Sequence, residues 1–307
     1  MESSSVLRLG NGLVGTSRQP IADFSKRLHM FSVCIVTYGD YPELISRTLF
    51  SLKEHFHGHI KDVRIGLNAV SPETFNVVMK WSGTLHHCPV YVYQEVDNLN
   101  VGKYPLMRRM FREEPAVFGD SEFIMWLDDD SYFDGVTDDW WNNVYRELRV
   151  HTVVGVRHYI VSRGNQGHGI SEQPWYTGKE IPRRHRFEFA TGAWWAARTE
   201  FIERWDYPFP EVYHNGGDSI LGELCRQQGA SIGNFVEGAQ CHAKCCYKGT
   251  TRNNVVHVNV GGREGRRGIG KKTSEEIYPW HFHGEKPQSY EHHNFDLKVY
   301  KFDGVHK

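Results

Sequence analysis

Three consecutive aspartates, Asp128, Asp129 and Asp130, follow an apolar run in FIMWLDDDSYFDG, residues 123–135. Adjacent carboxylates repel one another, and a divalent cation, basic neighbours or a helix N-terminus can offset that repulsion. A strand alternates its side chains, so extended chain here points Asp128 and Asp130 one way and Asp129 the other. Two carboxylates on one side suit Mg²⁺ or Mn²⁺ shared with phosphate oxygens. The plain alternative is a solvated acidic turn in which Asp130 or Asp134 caps the next segment. A second cluster, CHAKCC, offers Cys241, His242, Cys245 and Cys246. Structural zinc needs a second ligand pair. Only His281 and His283 are on offer, and packed, reduced cysteines account for the motif equally simply.

The aspartates need elements to position them. FSVCIV (residues 31–36), VRIGL (63–67), VYVYQEV (90–96), FIMWL (123–127) and HTVVGVRHYI (151–160) read as strands. The helix-like segments between them carry apolar residues on one side, as in Leu44, Ile45, Thr48, Leu49 and Leu52. Asp40 and Glu43 have capping-box spacing, with Pro42 in the first turn. TDDWWNNVYRELRV places Asp138 and Asp139 at a helix N-terminus. Such alternation predicts an α/β fold, a mostly parallel sheet with helices on both faces. Ligands of these sheets sit beyond the carboxyl ends of the strands. That rule brings TYGD, NAVS, DNLNVGK and DDDS to one edge. Later, FATGAWWAARTEFIERW reads as a short strand, a glycine turn and a helix. GGDSILGELCRQQG reads as a helix from Asp218 to a terminating Gly229.

Bulk properties exclude several classes. Formal net charge is −1, so overall electrostatics points to neither nucleic acid nor membrane. No run of about 18 apolar residues offers a membrane span. The N-terminus has no basic stretch followed by an apolar one, which predicts an arm rather than a secretion signal. The six cysteines are too sparse for a disulfide scaffold, and a cytoplasmic setting is the expectation. Between Cys241 and Lys272 the chain carries eight Lys or Arg against one acid, Glu264. That Gly-rich stretch reads as a lid over a diphosphate, as a patch for an anionic acceptor, or as a solvated loop.

Residues 30–242 resemble the GT-A glycosyltransferases, nearest to the family-2-like group. Four segments carry the likeness: FSVCIVTYGDYPELISRTLFSLKEH, VDNLNVGKYPLMRRMF, FIMWLDDDSYF, and FATGAWWAARTEFIERWDYP with NGGDSILGELCRQQG. The resemblance implies that Asp128 and Asp130 hold Mn²⁺ or Mg²⁺ and the sugar-nucleotide, with Asp130 the more direct metal ligand. It places Thr37, Tyr38 and Asp40 in the first nucleotide-binding turn, and Asp97 and Lys103 in the third loop, with Lys103 near the diphosphate. In the second loop Asn68 stands where the family often has an aspartate, and an amide can still bond a pyrimidine edge. Gly192 matches the acceptor-loop glycine, and Trp194 or Trp195 would stack on a sugar. Asp218 matches the catalytic base, the alternative being a helix N-cap. His242 matches a third metal ligand, with His257, His281 and His283 as rivals.

The expectation is a metal-dependent transfer of sugar from a nucleotide-diphospho-sugar, a UDP-sugar first, to an acceptor hydroxyl, with inversion. The domain reading is an arm (1–29), a catalytic domain (30–242) and a C-terminal segment (243–307) packed on it. Two other functions remain open at this point. One is glycosylation of a hydroxylated base in DNA, using residues 244–272 on the phosphates. The other is a nucleotide- or carbohydrate-binding module without turnover.

Overall fold

The computed structural model describes residues 31–55, 58–85, 87–112, 121–161, 173–179, 186–210, 212, 217–234, 255–257 and 295–303. The elements in chain order are β1 (Phe31–Gly39), α1 (Pro42–Glu54), β2 (Ile60–Val70), α2 (Pro72–Ser82), β3 (Val90–Glu95), α3 (Lys103–Arg112), β4 (Phe123–Leu127), β5 (Ser131–Phe133), α4 (Asp138–Val150), β6 (Val153–Val161), β7 (Arg186–Arg198), α5 (Thr199–Arg204), α6 (Gly217–Gln228), β8 (Ile232–Asn234), β9 (Val255–His257) and β10 (Leu297–Phe302).

The main sheet runs β10-β3-β2-β1-β4-β7-β6-β8. Strands β3, β2, β1 and β4 are mutually parallel, so their carboxyl ends share one edge. β7 runs against both β4 and β6, and β10 runs against β3. The expected mostly parallel sheet is therefore present at the centre, with antiparallel strands flanking it. In β1, Val33 and Ile35 join one core with Ile45 and Leu49 of α1 and Trp141 and Val144 of α4. Cys34 and Val36 join the opposite core with Leu106 and Met110 of α3 and Leu224 of α6. Burial on both faces explains why these strands read as unbroken apolar runs.

Two local expectations are corrected. The α1 N-cap is Tyr41, with no side-chain capping bond, although Pro42 does occupy the first turn. Asp40 is instead the acceptor for the Ser71 hydroxyl at 2.6 Å. Nor is there a turn at Gly192: residues 186–198 form one continuous strand. β4 pairs with β7 from Leu127↔Trp194 to Phe123↔Arg198, and β6 pairs along its other side. Paired chain on either side of the glycine keeps the stretch in one strand, although neither register pairs Gly192 itself. The β6–β7 register does slip, between Gly155↔Trp195 and Arg157↔Ala190. The surplus residues of β7, Gly192 among them, bulge, and bulges re-aim chain next to ligand sites.

Candidate active site

Asp128 lies one residue beyond β4, and its backbone N–H still donates to Ala193 O of the bulge at 3.0 Å. Its Oδ1 accepts from Lys103 Nζ at 2.7 Å and from Trp126 Nε1 at 2.9 Å. The Lys103 ammonium also stands 4.9 Å from the centre of the Trp126 ring. The other carboxylate oxygen of Asp128 is 3.5 Å from where a Cβ on Gly192 would stand, and Asp218 Oδ2 is 3.7 Å from that same point. A sheet strand, a bulge and a helix start thus bring Asp128, Gly192 and Asp218 together, with Lys103 alongside.

Asp130 lies in a turn and not in a continued strand. β4 ends at Leu127, and Ser131 N–H closes a turn onto Asp128 O at 2.9 Å. Strand alternation stops there, so it gives no reason for Asp130 to share a face with Asp128. Asp129 and Asp130 are both buried, 6% and 3% exposed. The Thr48 hydroxyl of α1 lies 2.9 Å from Asp129 O and 2.7 Å from Ser131 O, which ties the turn to that helix. Asp218, rather than Asp130, is the second carboxylate beside Asp128 at Gly192.

Asp218 is in the first turn of α6, where it accepts the Ser219 N–H at 2.9 Å, and its other oxygen faces Gly192. Burial raises its pKa above the ordinary carboxylate value, and the nearby Asp128 charge adds to this, while Lys103 pulls it down. Tyr104 fixes the helix start from below. A Cβ on Gly217 would fall 2.2 Å from Tyr104 Cζ, so only glycine fits there. Tyr104 and Tyr207 are both buried, and burial, with the Asp218 charge adding, drives their pKa values far up; both stay neutral phenols. Their part in the site is absent from any local pattern, because neither is near Asp218 in sequence.

The loops after β2 and β3 are built on amides. Asn68 is 1% exposed. Its Nδ2 donates to Asn100 Oδ1 at 2.9 Å, and its Oδ1 accepts Val101 N–H at 2.9 Å. Asn98, at φ +56°, clasps Val70 through both backbone groups, at 2.8 and 3.1 Å. Glu95 accepts the N–H groups of Asp97 and Leu99 at 3.0 and 2.7 Å. Asn68 therefore positions the loop that delivers Lys103 instead of presenting its amide edge to a base. Asp97 itself is exposed.

Thr37 is fully buried. Alternation puts it on the α1 face with Val33 and Ile35, away from the face of Asp128. Tyr38 is half-buried at the strand end and Asp40 is exposed beside Ser71. Both tryptophans after Gly192 are core, contrary to the stacking expectation. Trp194 is 1% exposed and packs on Trp140 at 5.4 Å, and Trp195 is 2% exposed and stacks on Trp126 at 6.4 Å. Alternation along β7 sends them to opposite faces, and both rings are consumed by packing.

His242, His281, His283 and the cysteines at 241, 245 and 246 lie outside the described residues. So does the basic stretch 244–272 apart from β9, which pairs with β5 just after the acidic turn. The nucleic-acid reading rested on that stretch and is not carried further. Among the described residues, no three His, Cys, Asp or Glu side chains converge as a metal cluster, and no helix is long and apolar enough to cross a membrane.

No family model and no curated protein matches the sequence. Solved structures are similar over part of the chain, two of them as follows. The first is the mannosyltransferase PcManGT from Pyrobaculum calidifontis in complex with GDP-Man and Mn²⁺: 17% identity, TM-score 0.47, covering 68% of this chain and 55% of that one. The second is S. aureus TarS: 16% identity, TM-score 0.39, covering 66% of this chain and 34% of that one. This chain thus spans about half the length of the first and a third of the second.

Proposed function

We propose that the chain is a metal-dependent glycosyltransferase of the GT-A kind, transferring a sugar from a nucleotide-diphospho-sugar to an acceptor hydroxyl with inversion. One observation carries this reading. Two carboxylates from separate elements, Asp128 and Asp218, face the same glycine at the ligand edge of a parallel sheet, with a lysine paired to the first. Asp218 takes the acceptor hydroxyl's proton while that oxygen attacks the anomeric carbon. A carboxylate with a raised pKa holds the proton better, which favours general-base work. Gly192 leaves room for the acceptor between the carboxylates. Lys103, at the start of α3, supplies positive charge for the diphosphate.

Asp128 fits a divalent cation. Its Oδ2, on the Gly192 side, is a hard oxygen donor, and Mg²⁺ or Mn²⁺ is bound by one or two carboxylates together with phosphate oxygens. His242 is the candidate to join it from outside the described residues. Such an ion, when bound, neutralises charge developing on the departing diphosphate. The test is donor turnover with UDP- and GDP-sugars plus Mn²⁺. Asp128→Asn is expected to cut the rate roughly a thousandfold, at the scale of losing a principal electrostatic group. A rate like that of the unaltered chain would overturn the assignment.

A further inference from the structure

Lys103 stands where elementary electrostatics disfavours it. It is the first residue of α3, a helix with no acid in its first turn. A helix N-terminus carries partial positive charge and favours anions over a lysine. The ammonium is stationed there by Asp128 at 2.7 Å and by the Trp126 and Tyr104 rings at 4.9 and 5.7 Å. Neither partner of the ion pair is sealed in: the Lys103 side chain is 22% exposed and that of Asp128 is 19% exposed. Two carboxylates facing one glycine need compensating charge at all times, including before any ligand arrives. A lysine on four flexible methylenes can supply it and then move.

We propose that Lys103 is a built-in counter-cation for Asp128. It holds that carboxylate until a divalent cation enters, then yields it and pairs with the phosphates of the donor at the start of α3. The proposal rests on the reading above that Asp128 binds metal. It predicts opposite effects on two ligands from one substitution, which a merely structural lysine would not give.

The test uses the full chain and calorimetric titration, first with Mn²⁺ alone and then with UDP or GDP at saturating Mn²⁺. Lys103→Met is expected to bind Mn²⁺ roughly fivefold tighter, the upper end for one partly exposed ion pair. It is expected to bind the nucleoside diphosphate roughly tenfold more weakly, the loss of one charge-assisted contact. Lys103→Gln repeats the comparison with a polar side chain, and Lys103→Arg, which keeps the charge, is expected to stay near the unaltered affinity for Mn²⁺. Equal or weaker Mn²⁺ binding by both Lys103→Met and Lys103→Gln, with Asp128→Asn losing Mn²⁺, overturns the counter-cation alone. Mn²⁺ binding that survives Asp128→Asn, or is absent from the unaltered chain, overturns the metal reading and the counter-cation together.

Discussion

Two aspartate–cation pairs sit on the same face of the sheet, and they are built to opposite ends. Asp62 and Arg64 are two apart on β2, 2.9 Å from each other, with side chains 6% and 1% exposed. Ser32 donates to the other Asp62 oxygen at 3.0 Å, and Arg64 donates to Met110 O of α3 at 3.1 Å. Burial alone would loosen the Arg64 proton, but Asp62 more than offsets that and its pKa is raised. Asp128 and Lys103 come from different elements, are several-fold more exposed, and leave one carboxylate oxygen facing the site. A rigid guanidinium fork closed by fixed neighbours makes a permanent strut. A flexible ammonium on a half-open carboxylate makes an exchangeable contact.

The sharpest way to break this contrast is at the closed pair. Asp62→Ala leaves a buried guanidinium without its counter-charge and is expected to cost about 3–5 kcal/mol of stability. A urea midpoint would register it, while turnover per folded molecule stays the same. A loss below about 1 kcal/mol would mean that the pair is not the strut described.

Gly192→Ala probes the open pair without touching the closed one. The added Cβ meets only Asp128 and Asp218 oxygens, at ordinary contact distances of 3.5 and 3.7 Å. Stability should change by less than about 0.5 kcal/mol. Turnover should fall roughly a hundredfold, because the methyl displaces reacting groups by about an ångström. Unchanged kinetics would show that the acceptor does not use that space.

The smallest effect is in the pH profile. In the proposed role Asp218 must be deprotonated to act, and its pKa is raised by burial. The acid limb of kcat/KM is therefore expected above the ordinary carboxylate range. For stability the sign is the reverse of a salt-bridged aspartate. The folded chain binds this proton more readily than the unfolded one, so the contribution is fully present below the unfolded pKa and is lost as pH rises through the folded value. An acid limb at the ordinary carboxylate value would show that Asp218 is not the titrating base.

Much of the fold was legible because contiguous apolar runs state their own burial. FSVCIV and FIMWL needed no partner to be read as central strands. The position of Asp218 was legible too, since a carboxylate after two glycines marks a helix start and α6 begins there. What escaped reading depends on chain that is distant in sequence. Gly192 reads as a turn until the chain before and after it is seen paired into one strand, β7. Asp130 reads as sharing a face with Asp128 only while strand alternation lasts, and β4 ends at Leu127. Asn68 reads as a ligand contact until Asn100 and Val101 use its amide. The buried ion pair did leave a trace: KDVRIGL alternates Asp62 and Arg64 inside an apolar strand, a spacing that puts both on one face.

The close approach of α6 to β7 has a consequence for recombining this protein with its relatives. A Cβ on Gly222 would lie 2.1 Å from Glu188 O and 2.8 Å from Phe189 Cβ, so helix and strand meet backbone to backbone. Gly192 rides on that strand and Asp218 on that helix. Their spacing is thus a property of one welded block, while Asp128 and Lys103 belong to the rest of the sheet. A chimera that exchanges residues 186–228 as a unit should keep Gly192 and Asp218 in register. A crossover placed between strand and helix would join two halves never fitted to each other, and is expected to lose turnover even where each parent is active.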